Sequence, residues 1–475
     1  MASVTSDSRI RSEPVPDTKS AYDPATFRPL TYFDATARFR AGEDDPRAYL
    51  ERCLETIAAR EAAVKAWVTL NERGAREQAD ASAARWRSGK PLSSIDGMPI
   101  GIKDLLETKD MPTQMGCAAF EGNFPKRDSA VVRALRDAGA VLVGKTVTTE
   151  LGGAHPGPTR NPFDRTRTPG GSSSGTAAAI GAGMIPAAIG TQVGGSVIRP
   201  ASYCANWALK PTQGALHRGE RQGYSQSTVG VHAGSPVDMW RVAIEIGRRT
   251  GGDPGHLGLF GPLDAPEAVK PQQLIVMETG GWEELDGATR EAFERVTSAL
   301  SALGVKILGR GDSPLVESFE RSIAAMSAVN GDICAFENRW SFANIAEQYP
   351  GKLSARATKV LERGNAMSVE DYRQRLLERE EARQRLAAIA PLGDALISLS
   401  SPGPAPVHDQ NAARPTGDAI FNCPSSTLGA PAVTVPVIAV SGMPVGVQIM
   451  GQLHADARVT AIARWIADNV APVKI

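Results

Sequence analysis

Apolar residues recur at helical spacing in some segments of the chain and form short continuous runs in others. They recur at helical spacing over residues 46–86, which predicts an N-terminal layer of helices. The short apolar run 98–102 predicts a buried strand that brings Lys103 to a crevice, because sites in such sheets lie where strands end. A helix that starts near Ser129 and a strand over 140–143 follow. This β-α-β order predicts an α/β fold with a mixed central β-sheet covered by helices on both faces.

The same alternation continues toward the C-terminus. Further apolar patterns predict strands over 273–277, 305–308, 432–440 and 445–450, and an amphipathic helix over 286–303. Residues 314–390 are strongly helical and polar, so we expect a helical subdomain that covers the substrate there. Residues 1–30 carry charges and several prolines and are predicted to form a partly ordered tail. We therefore expect a single domain over residues 31–475.

Two glycine-flanked serine turns stand out from this pattern. The first runs from Gly170 through Ser172 to Gly175, and an Ala-rich helix follows it. The second turn reads Thr191-Gln-Val-Gly-Gly-Ser196. Glycine pairs permit sharp turns and let backbone N–H groups approach an oxyanion, which a serine attacking a carbonyl needs. Both turns are predicted to expose their serines for nucleophilic chemistry. A flexible linker is disfavoured by the apolar flanks, and the motif of a phosphate loop is absent.

A serine nucleophile needs a base within hydrogen-bond reach. None of the six histidines lies in a motif with an ordered acid, and none shows metal-ligand spacing; they are His155, His217, His232, His256, His408 and His454. We interpret them as surface or polar-core residues, which disfavours a zinc hydrolase and predicts neither a metal nor a cofactor. A lysine whose pKa is lowered by burial can serve as the base instead.

Composition and charge narrow the class of protein. Hydrophobic residues make up 42% of the 475 positions and charged residues 22%, as in globular proteins. The 52 basic side chains balance the 52 acidic ones, so we expect no nucleic-acid partner and no membrane partner. No signal-peptide core is present, and the five cysteines form no Cys-x-x-Cys pair. These features favour a cytoplasmic protein that acts on a small molecule.

Six motifs occur in an order that resembles the amidase signature family. They are Gly101-Ile-Lys103-Asp104, Gly144-Lys-Thr146, Asn161-Pro162, Pro169-Gly-Gly-Ser-Ser-Ser-Gly175, the second serine turn, and Ala208-Leu-Lys-Pro211. With the C-terminal Gly442-Met-Pro-Val-Gly-Val-Gln448, the likeness extends over roughly residues 45–470. The segment from Thr191 to Pro200 is most similar to the malonamidase-like branch. The resemblance implies the amidase signature fold.

The resemblance also implies a Ser-Ser-Lys triad. In this family the lysine of Gly-x-Lys-Asp is the base, a serine on a cis peptide is the bridge, and the serine of the later Gly-Gly-Ser is the nucleophile. By position these roles fall to Lys103, Ser172 and Ser196, and the two serines are 24 positions apart, as in the family. Lys145 and Lys210 also lie in apolar surroundings and are left as structural lysines.

Further roles follow from the same resemblance. The oxyanion hole is implied to consist of the backbone N–H groups of Val193, Gly194, Gly195 and Ser196. The residues implied to bind substrate are Arg199, Met115, Gly152 and Tyr224. In malonamidase the arginine holds a substrate carboxylate; pairing of Arg199 with a buried acid is an equal alternative. Most family members carry Asp at the positions of Gln192 and Ser227. The first change is shared by the malonamidase-like branch, and the second leaves the hydrogen bonds of its loop open.

We therefore predict a serine hydrolase that cleaves the C–N bond of a small amide through an acyl-enzyme on Ser196. Carbamate or aryl ester hydrolysis on the same triad is an alternative. Another is a glutaminase-type subunit of a transamidosome-like assembly that passes ammonia to a partner. A non-catalytic binding protein is disfavoured because all three catalytic positions are intact. The substrate and the oligomeric state, including a homodimer, are left open.

Overall fold

The computed structural model describes residues 21–153, 155–219 and 224–475. Within these residues the strands are β1 (Trp67–Leu70), β2 (Pro99–Lys103), β3 (Val141–Thr146), β4 (Ala187–Gln192), β5 (Trp207–Lys210), β6 (Thr228–Ala233), β7 (Gln273–Val276), β8 (Lys306–Leu308), β9 (Ala395–Leu399), β10 (Ala432–Val440), β11 (Met443–Met450) and β12 (Val473–Lys474). They form one mixed sheet in the order β1-β3-β2-β4-β6-β5-β10-β11-β9-β7-β8, and β12 pairs with β10.

Helices surround this sheet. They are α1 (Phe33–Ala41), α2 (Pro46–Val64), α3 (Glu72–Arg87), α4 (Ala130–Asp137), α5 (Ser174–Gly181), α6 (Ile198–Tyr203), α7 (Pro236–Thr250), α8 (Gly287–Ala302), α9 (Pro314–Ile323), α10 (Met326–Gln348), α11 (Ala355–Ala366), α12 (Val369–Ala388), α13 (Cys423–Leu428) and α14 (Asp456–Asn469). The predicted α/β fold with a mixed sheet is confirmed. None of the described helices is both long and apolar enough to cross a bilayer.

The pairing of β2, β3 and β4 places Lys103 and the start of the second serine turn at the same edge of the sheet. β2 pairs in parallel with β3 and with β4, and Ile102 lies opposite Ile189. The carboxyl ends of β2 and β4 therefore meet at one edge of the sheet, where Lys103 ends the first strand and Gln192 ends the second. Ligand sites of open α/β sheets lie at such edges.

The sequence analysis did not identify the central strands β4, β5 and β6. Every residue of these strands is buried. A strand that is buried on both faces shows no alternation of apolar and polar residues, so the period of two that marks half-buried strands is missing. β4 is also rich in Ala and Gly, which carry little strand preference.

The helices between residues 314 and 388 lie over loops that lead to the site. Ser354, at the N-cap of α11, donates its backbone N–H to Glu150 Oε1 over 2.9 Å. An apolar cluster also joins α10 to these loops, with Phe342 packing in the same group as Phe120 and Leu151. The helical segment is thus fixed to the loops around the carboxyl end of β2.

The part of the predicted tail that the structure describes is packed against the domain. Tyr22 is 2% exposed, and its hydroxyl donates to the carbonyl oxygen of Pro436 over 2.7 Å. Its ring packs edge-on against Phe27 and Phe163. Residues 21–30 therefore extend the core, and residues 1–20 lie outside the described residues.

Candidate active site

Lys103 is the last residue of β2, and its side chain is fully buried. Its Nζ lies 2.7 Å from Ser172 Oγ and 3.0 Å from Ser173 Oγ. It also donates to Thr191 through the hydroxyl at 2.9 Å and the carbonyl at 3.2 Å. All four partners are neutral oxygens, and no carboxylate among the described residues pairs with the amine. Burial without a counter-charge lowers the pKa of Lys103 well below its usual range.

The other two candidate lysines have different surroundings. Lys145 Nζ forms an ion pair with Asp104 at 3.0 Å and donates to Thr113 Oγ1 over 2.6 Å. Burial lowers the pKa of Lys145, but the Asp104 carboxylate opposes this shift. Lys210 donates to the carbonyl of Ser425 over 3.1 Å, and burial lowers its pKa to about 7. Neither amine contacts a serine of the two turns, so only Lys103 faces them.

The serines of the first turn are buried, contrary to the prediction that this turn exposes them. Ser172 is 3% exposed and Ser173 is fully buried. The peptide bond between Gly171 and Ser172 is cis. Because α5 begins at Ser174, the positive end of its dipole lies at this turn. Ser172 is therefore positioned to contact Lys103, and it does not face open solvent.

Ser196 is the more accessible serine. It is half-buried in the loop between β4 and α6. Its side chain forms no hydrogen bond to Ser172 or to any other residue that the structure describes. The two turns are tied together by Arg199, whose Nη2 donates to the carbonyl of Gly171 over 2.7 Å.

The second turn presents a row of backbone donors. The N–H groups of residues 193–196 make no hydrogen bond within the described parts of the chain. Gln192 holds the base of this loop, because its Oε1 accepts from the backbone N–H groups of Val197 and Ile198 at 2.8 and 3.0 Å. Its Nε2 donates to Ser426 Oγ over 2.9 Å. The neutral amide of Gln192 thus provides a hydrogen-bond acceptor at the start of α6. The carboxylate of an Asp at this position is an acceptor of the same kind.

Gly195 leaves no room for a side chain. A Cβ at this position would lie 2.6 Å from Asn422 Oδ1 and 2.9 Å from the Cβ of Ala419. Residues 193–196, here called the donor loop, are predicted to form the oxyanion hole. On that prediction we expect Gly195→Ala to displace the donor loop and lower kcat/KM by about 100-fold, the scale of one lost oxyanion donor. The control is Gly287→Ala at the start of α8, where a Cβ would meet nothing within 4 Å. Activity of Gly195→Ala within threefold of wild type would contradict this expectation.

Arg199 has no acidic partner among the described residues. It is 6% exposed, and its Nη2 donates only to the carbonyl of Gly171 and to Thr416 Oγ1, the latter over 3.2 Å. Its buried Nε has no hydrogen-bond partner within residues 21–153, 155–219 and 224–475. Burial lowers the pKa of Arg199 from its usual value. The structure therefore disagrees with the alternative in which Arg199 pairs with a buried acid, and it leaves donors free for an anion.

The other three predicted substrate residues lie in different places. A Cβ at Gly152 would be 3.8 Å from Ser172 Oγ, so this residue borders Ser172. Met115 adopts a left-handed backbone with φ 56°, and its carbonyl accepts from the N–H of Leu151 over 2.8 Å. Burial raises the pKa of Tyr224, and Ser341 of α10 lies close enough to its hydroxyl to oppose this shift. Tyr224 therefore packs on the covering helices.

One histidine lies unexpectedly near the lysine. His232 is fully buried in β6, and neither ring nitrogen has a hydrogen-bond partner in the part of the chain that the structure describes. Burial, with a smaller effect of Lys103, lowers the pKa of His232 to about 3. Its Nε2 and the Ser173 hydroxyl approach the point where a Cβ of Gly190 would lie, at 3.0 and 2.8 Å. The imidazole stays neutral at ordinary pH and contacts neither Ser172 nor Ser196.

The sequence profile of the amidase family matches residues 48–460, which include every residue of the two serine turns and the buried lysine. The chain belongs to the amidase family. It is an amide-hydrolysing enzyme, and the predicted family is confirmed. Its placement in the malonamidase-like branch stays a prediction.

Relatives and solved structures of similar length support this assignment. The chain is 31% identical to the A subunit of glutamyl-tRNA(Gln) amidotransferase from Myxococcus xanthus (strain DK1622), covering 92% of this chain and 96% of the relative. A solved structure described as an amidase has 28% identity and a TM-score of 0.80, covering 92% of this chain and 99% of its own. Another, from a protein complex related to an s-triazine catabolic enzyme, has 25% identity, a TM-score of 0.81, and coverage of 94% and 99%.

Sequence reasoning missed several residues that contact the site. Thr191 and Ser173 bind the Lys103 amine, and both lie inside quoted motifs, so their positions could have been found there. Asn330 donates to the carbonyl of Val193 over 2.9 Å from 137 positions away. It lies in α10 with no recognised motif around it, and the sequence carried no signal for it.

Proposed function

We propose that this amidase cleaves the C–N bond of a small amide through an acyl-enzyme on Ser196. The supporting observation is the 2.7 Å contact between Lys103 Nζ and Ser172 Oγ, in a pocket with no carboxylate at the amine. When neutral, Lys103 can take the proton of Ser172 while Ser172 takes that of Ser196. Catalytic hydrogen bonds often tighten only when substrate binds, so the free Ser196 hydroxyl is compatible with this relay.

Each bond change in the proposal is assigned to one group. Ser196 Oγ bonds to the carbonyl carbon, and the C–N bond breaks as the relayed proton passes to the leaving nitrogen. Water then attacks the acyl ester and gives its proton back through Ser172 and Lys103. The carboxylate leaves, and the Ser196 hydroxyl is restored. The unbonded N–H groups of residues 193–196 stabilise the oxyanion of both tetrahedral intermediates.

The site favours an acyl group that ends in a carboxylate. Arg199 is a buried cation with a free Nε and no acidic partner in the described chain. A charge-assisted hydrogen bond between the Arg199 guanidinium and a substrate carboxylate contributes about 1.5–3 kcal/mol to binding. In this proposal the carboxylate of a dicarboxylic monoamide binds Arg199 while its amide carbonyl reaches Ser196, and helices α9–α12 cover the bound molecule.

The wild-type enzyme is therefore expected to prefer a dicarboxylic monoamide over its neutral methyl ester analogue by roughly 10- to 100-fold in kcat/KM. Arg199→Met should remove most of this ratio. Because Arg199 also binds the carbonyl of Gly171, the variant should lose rate on both substrates, and the ratio isolates the carboxylate contact. Equal kcat/KM for the two substrates in wild type would contradict the carboxylate proposal and leave the triad proposal standing.

The type of bond that the enzyme cleaves is tested with an amide and an aryl ester of the same acyl group and with a carbamate of matched size. We expect the amide to be hydrolysed, with the matched carbamate and aryl ester as the alternatives on the same triad. An ester cleaved while the amide is untouched would contradict amidase activity as the main function. Capture of the acyl-enzyme, seen as the added acyl mass on intact wild-type protein, tests the covalent step directly.

A second candidate is the role of an amidotransferase component. It is favoured by relatives named as the A subunit of glutamyl-tRNA(Gln) amidotransferase, at 30–31% identity over most of the chain. The neutral Gln192 in place of the usual Asp argues against it. The two candidate functions are distinguished by assaying the purified protein alone. Hydrolysis of simple amides by a homo-oligomer of this chain supports the first candidate, the amidase. Glutamine hydrolysis that appears only with a partner chain supports the second.

A further inference from the structure

Two carbonyl groups of the donor loop are held from two different helices. Asn330 of α10 donates from its Nδ2 to the carbonyl oxygen of Val193 over 2.9 Å. Ser426 of α13 donates from its hydroxyl to the carbonyl oxygen of Gly194 over 2.7 Å. Both side chains are buried, Asn330 at 6% exposure and Ser426 at 1%.

These contacts fix the direction of the opposite N–H groups. A trans peptide is planar, so its C=O and N–H point in opposite directions and cannot rotate separately. The carbonyl of Val193 shares its peptide with the N–H of Gly194, and the carbonyl of Gly194 shares its peptide with the N–H of Gly195. We propose that Asn330 and Ser426 are positioning residues that aim these two N–H groups at the oxyanion. The proposal rests on the oxyanion role assigned to this loop above.

Asn330 is itself held in one orientation. Its Nδ2 also lies 3.0 Å from Gln226 Oε1 and 3.0 Å from Thr427 Oγ1. Gln226 in turn donates to the backbone carbonyl of Asn330 over 3.2 Å. The amide group therefore cannot turn away from Val193 without breaking contacts to the loop before β6 and to α13. This network keeps the donor in place before any substrate binds.

The position of Asn330 links the covering helices to the chemistry. Asn330 lies in the first turns of α10, the helix whose far end packs over the loop around Leu151. A shift of α10 moves the carbonyl of Val193 with it, and the N–H of Gly194 turns away from its target. The oxyanion donors are thus correctly aimed only when the helical segment is seated. Asn330 acts through the Val193 peptide and touches no reacting atom in this proposal.

The test uses Asn330→Asp, which keeps the shape of the side chain but places a carboxylate oxygen against the Val193 carbonyl. We expect kcat to fall by about 30- to 100-fold with KM within about threefold, since donors aimed at the oxyanion act mainly in the transition state. Asn338→Ala is the matched control, because Asn338 lies in the same helix and donates only to the carbonyl of Cys334. Unchanged kcat in Asn330→Asp overturns the proposal.

A second measurement separates positioning from general damage. A boronic acid that forms a tetrahedral adduct on a serine should bind Asn330→Asp more weakly by the same factor as the loss of kcat, while the product carboxylate binds as before. Equal weakening of both ligands overturns the positioning role. At the other contact, Ser426→Thr should retain the rate that Ser426→Ala loses, because threonine keeps the hydroxyl.

Ser196→Ala, measured beside these variants, distinguishes the two levels of the proposal. If Ser196→Ala stays active, the proposed acyl-enzyme function fails. If Ser196→Ala is inactive and Asn330→Asp is fully active, only the positioning role fails.

Discussion

Replacement of Ser196 by alanine is expected to lower kcat/KM on amides by about 10⁴- to 10⁶-fold, as for the loss of other activated serine nucleophiles. The physical reason is that no other described serine is both accessible and placed beside a row of unbonded N–H groups. Ser172 cannot replace it, because that hydroxyl is buried against Lys103. The rate is measured on a chromogenic anilide, with the enzyme concentration high enough to detect slow turnover.

Ser301→Ala is the control for this variant. Ser301 is exposed in α8 and donates only to the carbonyl of Thr297 in its own helix, so its loss should leave the rate unchanged. Intact-mass measurement during turnover of an aryl ester should show the acyl adduct on wild type and on Ser301→Ala but not on Ser196→Ala. An adduct on Ser196→Ala would assign the nucleophile to another residue.

Removal of the amine in Lys103→Met should lower kcat/KM by about 10³-fold or more, since the proposed relay then has no proton acceptor. Lys103→Arg should be equally inactive, because a guanidinium stays protonated and cannot act as a base. In wild type, kcat/KM should rise with pH as the neutral amine accumulates. The midpoint should lie well below 10.5, because burial lowers the pKa of Lys103. A pH profile of Lys103→Met identical to that of wild type would contradict the assignment of Lys103 as the base.

The same amine makes a prediction about stability. Between the lowered pKa of folded Lys103 and its unfolded value near 10.5, the unfolded chain binds a proton that the folded chain has released. The free energy of unfolding of wild type relative to Lys103→Met should therefore rise with pH in this window, by up to about 1.4 kcal/mol per pH unit. Denaturant unfolding at several pH values measures it. Lys90→Met, an exposed lysine, should show no such change.

Sequence patterns located most elements whose burial is one-sided. The amphipathic helix expected over 286–303, for example, is Gly287–Ala302. Such elements carry their period in the sequence because one face is apolar and the other is wet. Strands that are buried on both faces have no such period. β10, expected over 432–440 and observed over Ala432–Val440, is located by its long apolar run, whereas β4 is rich in Ala and Gly and has no such run.

The sequence by itself determined the chemical inventory of this protein: two serine turns, a lysine at the end of an apolar run, and an order of motifs that places the chain among the amidases. Local residue types are sufficient for this because glycine turns and helix starts are decided by neighbouring residues.

Only the tertiary structure decided which lysine lacks an acid and faces the serines. It also decided that Arg199 has free donors and that Asn330 holds the donor loop. These facts depend on burial and on contacts between residues that are distant in sequence, such as Lys103 with Ser172 at 69 positions and Asn330 with Val193 at 137. A pKa or the aim of an N–H group is set by whatever the fold brings beside it, and no local pattern encodes that neighbour.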